Sequence, residues 1–334
     1  MKCPKCKKEV PEGEFCDLCG AKLESAGKST LTSAPVQKPS SESILKEKYE
    51  ILREIGRGGM GIVYEAVNKK LGKKVALKKM KEELAINQRE RERFLKEARR
   101  VAELHHPHIV DIYDIIEEEI PSPNLSPEGR GKRDGGIYLV FEFVDGKTIE
   151  QILNSGKKFE LKNAVEIIEQ VCEALEYAHG KKNIHRDVKP SNIIVCPSPD
   201  LSPKGRGMMV KVMDFGIARE AKNTYSRLTG KDTSGTLAYM APEQELGSYS
   251  EQSDIFSVGV CLYEMLAGEL PFKGPNFYLQ KEKMTYRKIR EINPEIPQEI
   301  EAIIEKCLQP EKEKRYQSVK KLIKELEIIE TSKL

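Results

Sequence analysis

The spacing of apolar residues along this chain changes several times, and each change marks an element. Tyr49-Glu50-Ile51-Leu52-Arg53-Glu54-Ile55 and Ile62-Val63-Tyr64-Glu65-Ala66-Val67 are rich in β-branched and aromatic residues and predict two strands. Gly56-Arg57-Gly58-Gly59-Met60-Gly61 joins them. Val75-Ala76-Leu77-Lys78 predicts a third strand. From Glu82 to Leu104 the spacing turns helical, with Phe94, Ala98, Val101 and Leu104 on one face. Pro107, within His105-His106-Pro107-His108, ends that helix in a turn. Strands return at Val110–Glu117 and at Ile137–Phe143, the second apolar enough to be buried. Ala164, Ile167, Ile168, Val171, Leu175 and Ala178 then follow helical spacing. Ser253–Leu266 is apolar on nearly every side, which predicts a helix inside the core. Val319, Leu322, Ile323 and Leu326 mark a last amphipathic helix.

Two stretches interrupt this pattern, and they are near copies. Pro121 to Gly131 and Pro197 to Gly207 agree at nine of eleven positions. Both are rich in proline and glycine and break regular structure. Loop inserts are therefore expected near 119–136 and 196–209, on the surface, where added length costs little. Residues 25–47 hold Ser, Thr, Pro, Lys and Gln with few apolar residues, which predicts a flexible linker.

Composition narrows the classes. The chain has 334 residues, 33% of them charged, and a net charge of +3. That balance is too small to make nucleic acid the main partner. No apolar run approaches the roughly 20 residues of a membrane span. Met1-Lys2-Cys3-Pro4 lacks the apolar centre of a signal peptide. A soluble cytoplasmic protein is expected. The terminal Ser332-Lys333-Leu334 matches a peroxisomal address over three residues only and is read as a plain chain end.

Four of the eight cysteines fall in two C-x-x-C units, Cys3/Cys6 and Cys16/Cys19. Four thiolates suit tetrahedral Zn²⁺, and a 24-residue segment needs such a staple in place of a core. Residues 1–24 resemble a zinc ribbon, with a redox pair or disulfides as the alternative. Five lysines there face five carboxylates, so a structural or protein-contact role is expected rather than nucleic-acid binding. Cys172, Cys196, Cys261 and Cys307 show no ligand spacing and are expected to be inert thiols.

The chemistry lies in a set of ordered motifs. A glycine loop between strands, Val75-Ala76-Leu77-Lys78, His185-Arg186-Asp187-Val188-Lys189-Pro190-Ser191-Asn192 and Asp214-Phe215-Gly216 follow one another. The glycine loop alone is a weak signal, since G-x-G-x-x-G also opens dinucleotide folds, but there a helix follows. The ordered set resembles the eukaryotic-like bacterial Ser/Thr protein kinases over residues 49–326.

That resemblance implies an α+β, bilobal domain over residues 48–330, with a mainly β lobe (48–144) and a mainly α lobe (145–330). It implies transfer of the γ-phosphoryl group of ATP to Ser or Thr hydroxyls of protein substrates. Ile55, Gly56, Arg57, Gly58, Gly59, Met60, Gly61, Ile62, Val63 and Ala76 would surround the nucleotide. Lys78 would contact its phosphates, paired with Glu97, and the backbones of Glu142 and Val144 would meet the adenine edge beside Phe141. Asp187 would be the base, Lys189 would neutralise the moving phosphoryl group, and Asn192 and Asp214 would hold two Mg²⁺. A lysine at 189 resembles Ser/Thr rather than Tyr kinases.

The resemblance also implies that Asp254 braces the catalytic loop and that Arg315 pairs with Glu243. The family usually has tryptophan where Phe256 stands. Arg186 would receive a phosphorylated residue of the segment 216–240, with Thr229, Thr233 and Ser234 as candidates and Thr236 as a structural contact. The alternative function is a pseudokinase scaffold that binds proteins through the same fold and the ribbon.

Overall fold

In the computed structural model, the described residues are 41–58, 61–81, 88–117, 136–197, 208–216 and 234–333. The chain divides into two compact units, Met1–Pro39 and Ser40–Leu334. The first lies outside the described residues, and with it Cys3, Cys6, Cys16 and Cys19.

Helix α1 (Ser41–Lys48) opens the second unit. This corrects part of the expected flexible linker, because residues 41–47 belong to a helix. The helix is short and polar, and tertiary contact explains it. Leu45 is buried beside Tyr49, Ile116 and Tyr138, and Lys48 Nζ lies 3.1 Å from Asp114 Oδ2.

Five strands follow: β1 (Tyr49–Gly58), β2 (Gly61–Asn68), β3 (Lys73–Met80), β4 (Ile112–Glu117) and β5 (Ile137–Glu142). They form one antiparallel sheet in the order β1-β2-β3-β5-β4. Side chains alternate across the sheet, so register decides which residues face which way. Val75 and Leu77 bury against Ala66 and Val140. Ala76 and Lys78 therefore point to the other face, paired with Phe141 and Leu139. Helix α2 (Gln88–Ala102) covers that side with Phe94, Leu95, Ala98 and Val101 buried. The expected start of this helix at Glu82 falls outside the described residues.

Strand β4 begins two residues later than Val110, where the apolar pattern places it. His108, Ile109 and Val110 instead pair with another strand. The Val110 N–H donates to the Val212 carbonyl and the Val212 N–H to the His108 carbonyl, both at 2.9 Å. Val212 ends β8 (Met208–Val212), which belongs to a second sheet, β6-β7-β8, with β6 (Lys147–Thr148) and β7 (Ile193–Pro197). Backbone pairing thus ties the two lobes together beside the cleft. Cys196 pairs with Met209, and Pro197 with Met208. The expected insert at 196–209 is therefore narrower, because its first and last two residues complete a hairpin ladder.

The helical lobe is built on α3 (Ile149–Asn154), α4 (Leu161–Gly180), α5 (Pro242–Glu245), α6 (Glu251–Ala267), α7 (Phe277–Glu282), α8 (Ile289–Ile292), α9 (Gln298–Cys307) and α10 (Val319–Lys333). Helix α6 is buried along almost its whole length, as its composition predicts. Gly259 is the condition for its packing: a Cβ there would sit 2.5 Å from Cys307 Cβ on α9. Cys172, Cys261 and Cys307 are buried free thiols, and burial raises the pKa of each.

Candidate active site

A cleft of about 1000 Å³ runs between the five-stranded sheet and the helical lobe. Its walls include Ile55, Gly56, Arg57, Gly58, Gly61, Val63, Ala76, Lys78, Glu142, Val144, Lys189, Asn192 and Asp214. Ten of these were expected around the nucleotide, and Lys189, Asn192 and Asp214 as catalytic or Mg²⁺-holding residues; Asp187 is not among the lining residues. Gly59 and Met60 lie outside the described residues, and Ile62 does not line the cleft. Ile62 pairs with Lys79 across the β2–β3 ladder, one position from Val63, and therefore faces the opposite side.

The glycines do different work. Among the described residues, nothing beyond its chain neighbours lies within 4 Å of a Cβ built on Gly58, so that position is open to a ligand. A Cβ on Gly61 would overlap the carbonyl of Lys79, so Gly61 is needed for the hairpin to sit on β3.

At the closed end of the cleft, Lys78 Nζ holds both carboxylate oxygens of Asp214, at 2.8 and 2.7 Å. Both side chains are about nine-tenths buried. Glu97 is not the partner of Lys78, contrary to the expected pair. Its Oε1 lies 4.0 Å from Arg186 Nη1 and borders Gly216. Position explains this. Glu97 is half-buried beside Ala98 on α2 and turns toward Arg186 and Gly216, while Asp214, held in left-handed backbone (φ 63°), directs its carboxylate at the lysine. Arg186 also lies over the Tyr249 ring, 4.0 Å from its centroid.

The catalytic-loop candidates converge on one carboxylate. Asp187 is buried, and Lys189 Nζ lies 3.0 Å from its Oδ2. Asn192 Nδ2 donates to the same oxygen at 3.2 Å and to the Asp187 carbonyl at 2.8 Å. Pro190 opens the 3-10 turn Pro190–Asn192, whose tight winding brings Asn192 back to Asp187. From there β7 and β8 carry the chain out and back, and the Met213 N–H donates to the Asn192 carbonyl at 2.9 Å. Asn192 and Asp214 thus line the same cleft although 22 positions separate them in sequence.

Beneath the loop lies a buried brace. Asp254, near the start of α6, accepts from the backbone N–H groups of His185 and Arg186, each at 2.8 Å, and pairs with His179 Nε2 at 2.8 Å. His185 is fully buried, and burial lowers its pKa, so it is neutral. Its ring nitrogens have opposite roles. Nε2 faces the Met213 carbonyl at 3.1 Å, and Nδ1 accepts from the Asp187 N–H at 3.2 Å. One imidazole thereby fixes the residue before Asp214 and the backbone of Asp187. The His185 ring also packs on Phe215, 4.4 Å between centroids.

Arg315 binds Glu243 through two nitrogens, at 2.7 and 2.8 Å. Phe256 stacks on Phe272 and carries the Arg315 guanidinium 5.0 Å above its ring, which retains the packing without an indole. Thr229 and Thr233 lie outside the described residues; Ser234 opens the 3-10 turn Ser234–Tyr239, and its side chain is not described.

Some wall residues carry no sequence signal for this role. Val110, Ile194 and Met213 line the cleft as ordinary apolar positions. Lys211, on β8, is buried and binds Glu142 Oε2 at 2.7 Å, which secures the edge of the cleft. The three histidines of the turn are structural: His105 meets Asp111 at 3.0 Å, His106 stacks on Tyr177, and His108 meets the Val210 carbonyl at 3.0 Å.

The protein kinase domain model matches residues 49–326. The chain belongs to the protein kinase family. As a kinase it is similar to the serine/threonine-protein kinase PknA of Mycobacterium tuberculosis, 36% identical over 82% of this chain and 59% of that protein. It is also similar to the probable serine/threonine-protein kinase PknB of Lactococcus lactis, 35% identical over 84% of this chain and 42% of that protein. The chain spans about half the length of these curated relatives. Among solved structures, the kinase domain of Mycobacterium tuberculosis PknI superposes with a TM-score of 0.62 at 22% identity, covering 84% of this chain and 96% of that one. That likeness bears on the fold, the bilobal kinase architecture. Among the described residues, no helix is long and apolar enough to cross a membrane.

Proposed function

We propose that the chain transfers the γ-phosphoryl group of ATP to serine or threonine hydroxyls of proteins. One observation carries this reading: Lys78, Asp214, Asn192 and Lys189 line the same cleft, and Lys189 and Asn192 both hold the carboxylate of the buried Asp187. Phosphoryl transfer requires little covalent work from the protein and much positioning and charge neutralisation. Lys78 binds the inner phosphates. Asp187 orients the substrate hydroxyl and receives its proton as the new P–O bond forms and the bond to the ADP oxygen breaks. Lys189 neutralises the oxygens of the group in flight.

Asn192 and Asp214 offer hard oxygen donors on either side of that path, which suits Mg²⁺. When bound, Mg²⁺ supplies further neutralisation of phosphate charge. The Glu142 N–H is committed to the Asp111 carbonyl at 2.9 Å, so Glu142 meets adenine through its carbonyl, together with the backbone of Val144.

A regulatory role for Arg186 belongs to the same proposal. Its Nε is buried without a hydrogen-bond partner among the described residues, which suits it to receive a phosphate. Thr229, Thr233 and Ser234 are the proposed donors of that phosphate. The cysteines of residues 1–24 are proposed to bind one Zn²⁺ and to serve a protein contact. The inserts are proposed as surface loops and the protein as cytoplasmic.

Phosphosite mapping after incubation with ATP and Mg²⁺ tests the reading. Phosphate on Ser and Thr is expected, and phosphate on Tyr alone would overturn it. A Thr229→Ala, Thr233→Ala, Ser234→Ala triple variant with unchanged activity would refute the regulatory part. Metal analysis expects one zinc per chain, lost when the four cysteines are replaced by serine.

A further inference from the structure

Lys281, on α7, is the most deeply buried lysine among the described residues, with no side-chain exposure. It contributes nothing to the cleft. Its ammonium donates to Glu245 Oε1 at 2.7 Å and to the Leu237 carbonyl at 2.6 Å, and the Phe277 ring lies 5.5 Å away. Glu245 closes α5, and Leu237 sits in the 3-10 turn before it. A single buried cation therefore joins three segments.

Stability alone gives no reason for a charge here. A well-packed apolar side chain in place of a buried ion pair is often as stable or more so. Burial lowers the pKa of Lys281, against the pull of Glu245. What methionine could not do is hold a carbonyl and a carboxylate of two segments at one point.

The stretch between those two anchors reaches the catalytic loop. Gln244 Nε2 donates to the Arg186 carbonyl at 3.2 Å, directly before Asp187. The Tyr239 hydroxyl donates to Glu264 Oε2 at 2.7 Å, and its carbonyl accepts from Ser257 Oγ at 2.8 Å. Among the described residues, the other side-chain anchors of 237–245 come from α6, from the catalytic loop through Gln244, and from Arg315 through Glu243. Lys281 alone brings in α7.

We infer that Lys281 is a positioning residue for the protein substrate: it clamps Leu237 and Glu245 so that residues 237–245 present a fixed edge beside Asp187. The inference rests on the kinase reading above. It separates two functions of one site, since the clamp lies away from every residue that lines the nucleotide cleft.

The test uses the full chain with Lys281→Met and the milder Glu245→Gln, which keeps an oxygen acceptor but removes the charge. Steady-state kinetics are measured against a Ser/Thr substrate protein, with nucleotide affinity and amide hydrogen exchange alongside. Lys281→Met is expected to raise KM for the protein substrate about tenfold, with Glu245→Gln in the same direction and smaller. KM for ATP and nucleotide affinity stay at wild-type values, and only amides within 237–245 exchange faster. Unchanged protein KM with an active wild type would overturn the inference. So would a parallel loss of nucleotide affinity, which marks a general folding role. A wild type that binds nucleotide yet labels no protein would instead overturn the kinase reading, and unchanged exchange in 237–245 would still refute the clamp.

Discussion

Arg315→Met would remove a guanidinium whose five N–H groups are all taken. Nε donates to the Gln309 carbonyl at 2.7 Å. Nη1 donates to Glu243 Oε1 at 2.7 Å and to the Gln252 carbonyl at 3.0 Å. Nη2 donates to Glu243 Oε2 and to the Pro310 carbonyl, both at 2.8 Å. Methionine fills much of the volume but leaves the Glu243 carboxylate without its cation, held by the Ser253 hydroxyl 2.8 Å away. Removing one side of a buried pair costs about 3–5 kcal/mol. The Glu243 side chain is 18% exposed, so solvent recovers part of that, and about 3 kcal/mol is expected. For a domain of this size, each kcal/mol moves Tm by roughly 2–4 °C, so a fall of roughly 6–12 °C follows.

Thermal unfolding followed by circular dichroism measures that fall directly, and a double-mutant cycle with Glu243→Gln isolates the pair. The pH dependence has a definite sign. Burial alone raises the Glu243 pKa, but the hydrogen bonds and charge of Arg315 outweigh it and hold the group below its ordinary 4.5. The stabilisation is therefore complete above the unfolded pKa and is lost as pH falls through the lower folded value. The gap between wild type and Arg315→Met should stay constant near neutral pH and shrink in acid. A Tm loss of about 2 °C or less, or a gap that widens in acid, would refute the account of this pair.

The glycine loop gives a paired prediction. Gly61→Ala should destabilise the fold by about 1–3 kcal/mol in denaturant unfolding, because its Cβ meets the Lys79 carbonyl. Gly58→Ala should leave stability unchanged and weaken nucleotide binding in titration, because among the described residues nothing beyond its chain neighbours lies within 4 Å of the added Cβ. Asp254→Asn would turn an amide NH₂ toward a backbone N–H of His185 or Arg186. It should lower kcat about 10²-fold with nucleotide affinity kept, as expected when the loop shifts and the cleft does not.

Much of the fold was legible because the strongest periodic segments became elements. Phe94, Ala98 and Val101 form the buried stripe of α2, and the apolar run from Ser253 became the core helix α6. Asp187, Lys189, Asn192 and Asp214 stand out as candidates because their order along the chain is itself a signal. Partner choice was not readable. Lys78 has two carboxylates within the same motif set, and the selection comes from the backbone geometry at Asp214 and from the contacts of Glu97 with Arg186 and Gly216. Lys281 gave no signal at all, since Lys281, Glu282 and Lys283 read as solvated charges and only the packing of α7 against α5 buries the first. Helix α1 was missed because its stability comes from Leu45 against the sheet rather than from its own sequence. The ends of the second insert were missed because a proline at 197 reads as a break, whereas in the last position of a strand it is tolerated.

The most direct test of the central claim is phosphoryl transfer from γ-labelled ATP with Mg²⁺, comparing wild type with Asp187→Asn. The substitution keeps shape and removes the carboxylate that would take the proton. The account predicts labelled protein from wild type, and from Asp187→Asn a rate at least about 10²-fold lower with nucleotide affinity unchanged. Equal labelling of the two, at background or above it, would contradict it.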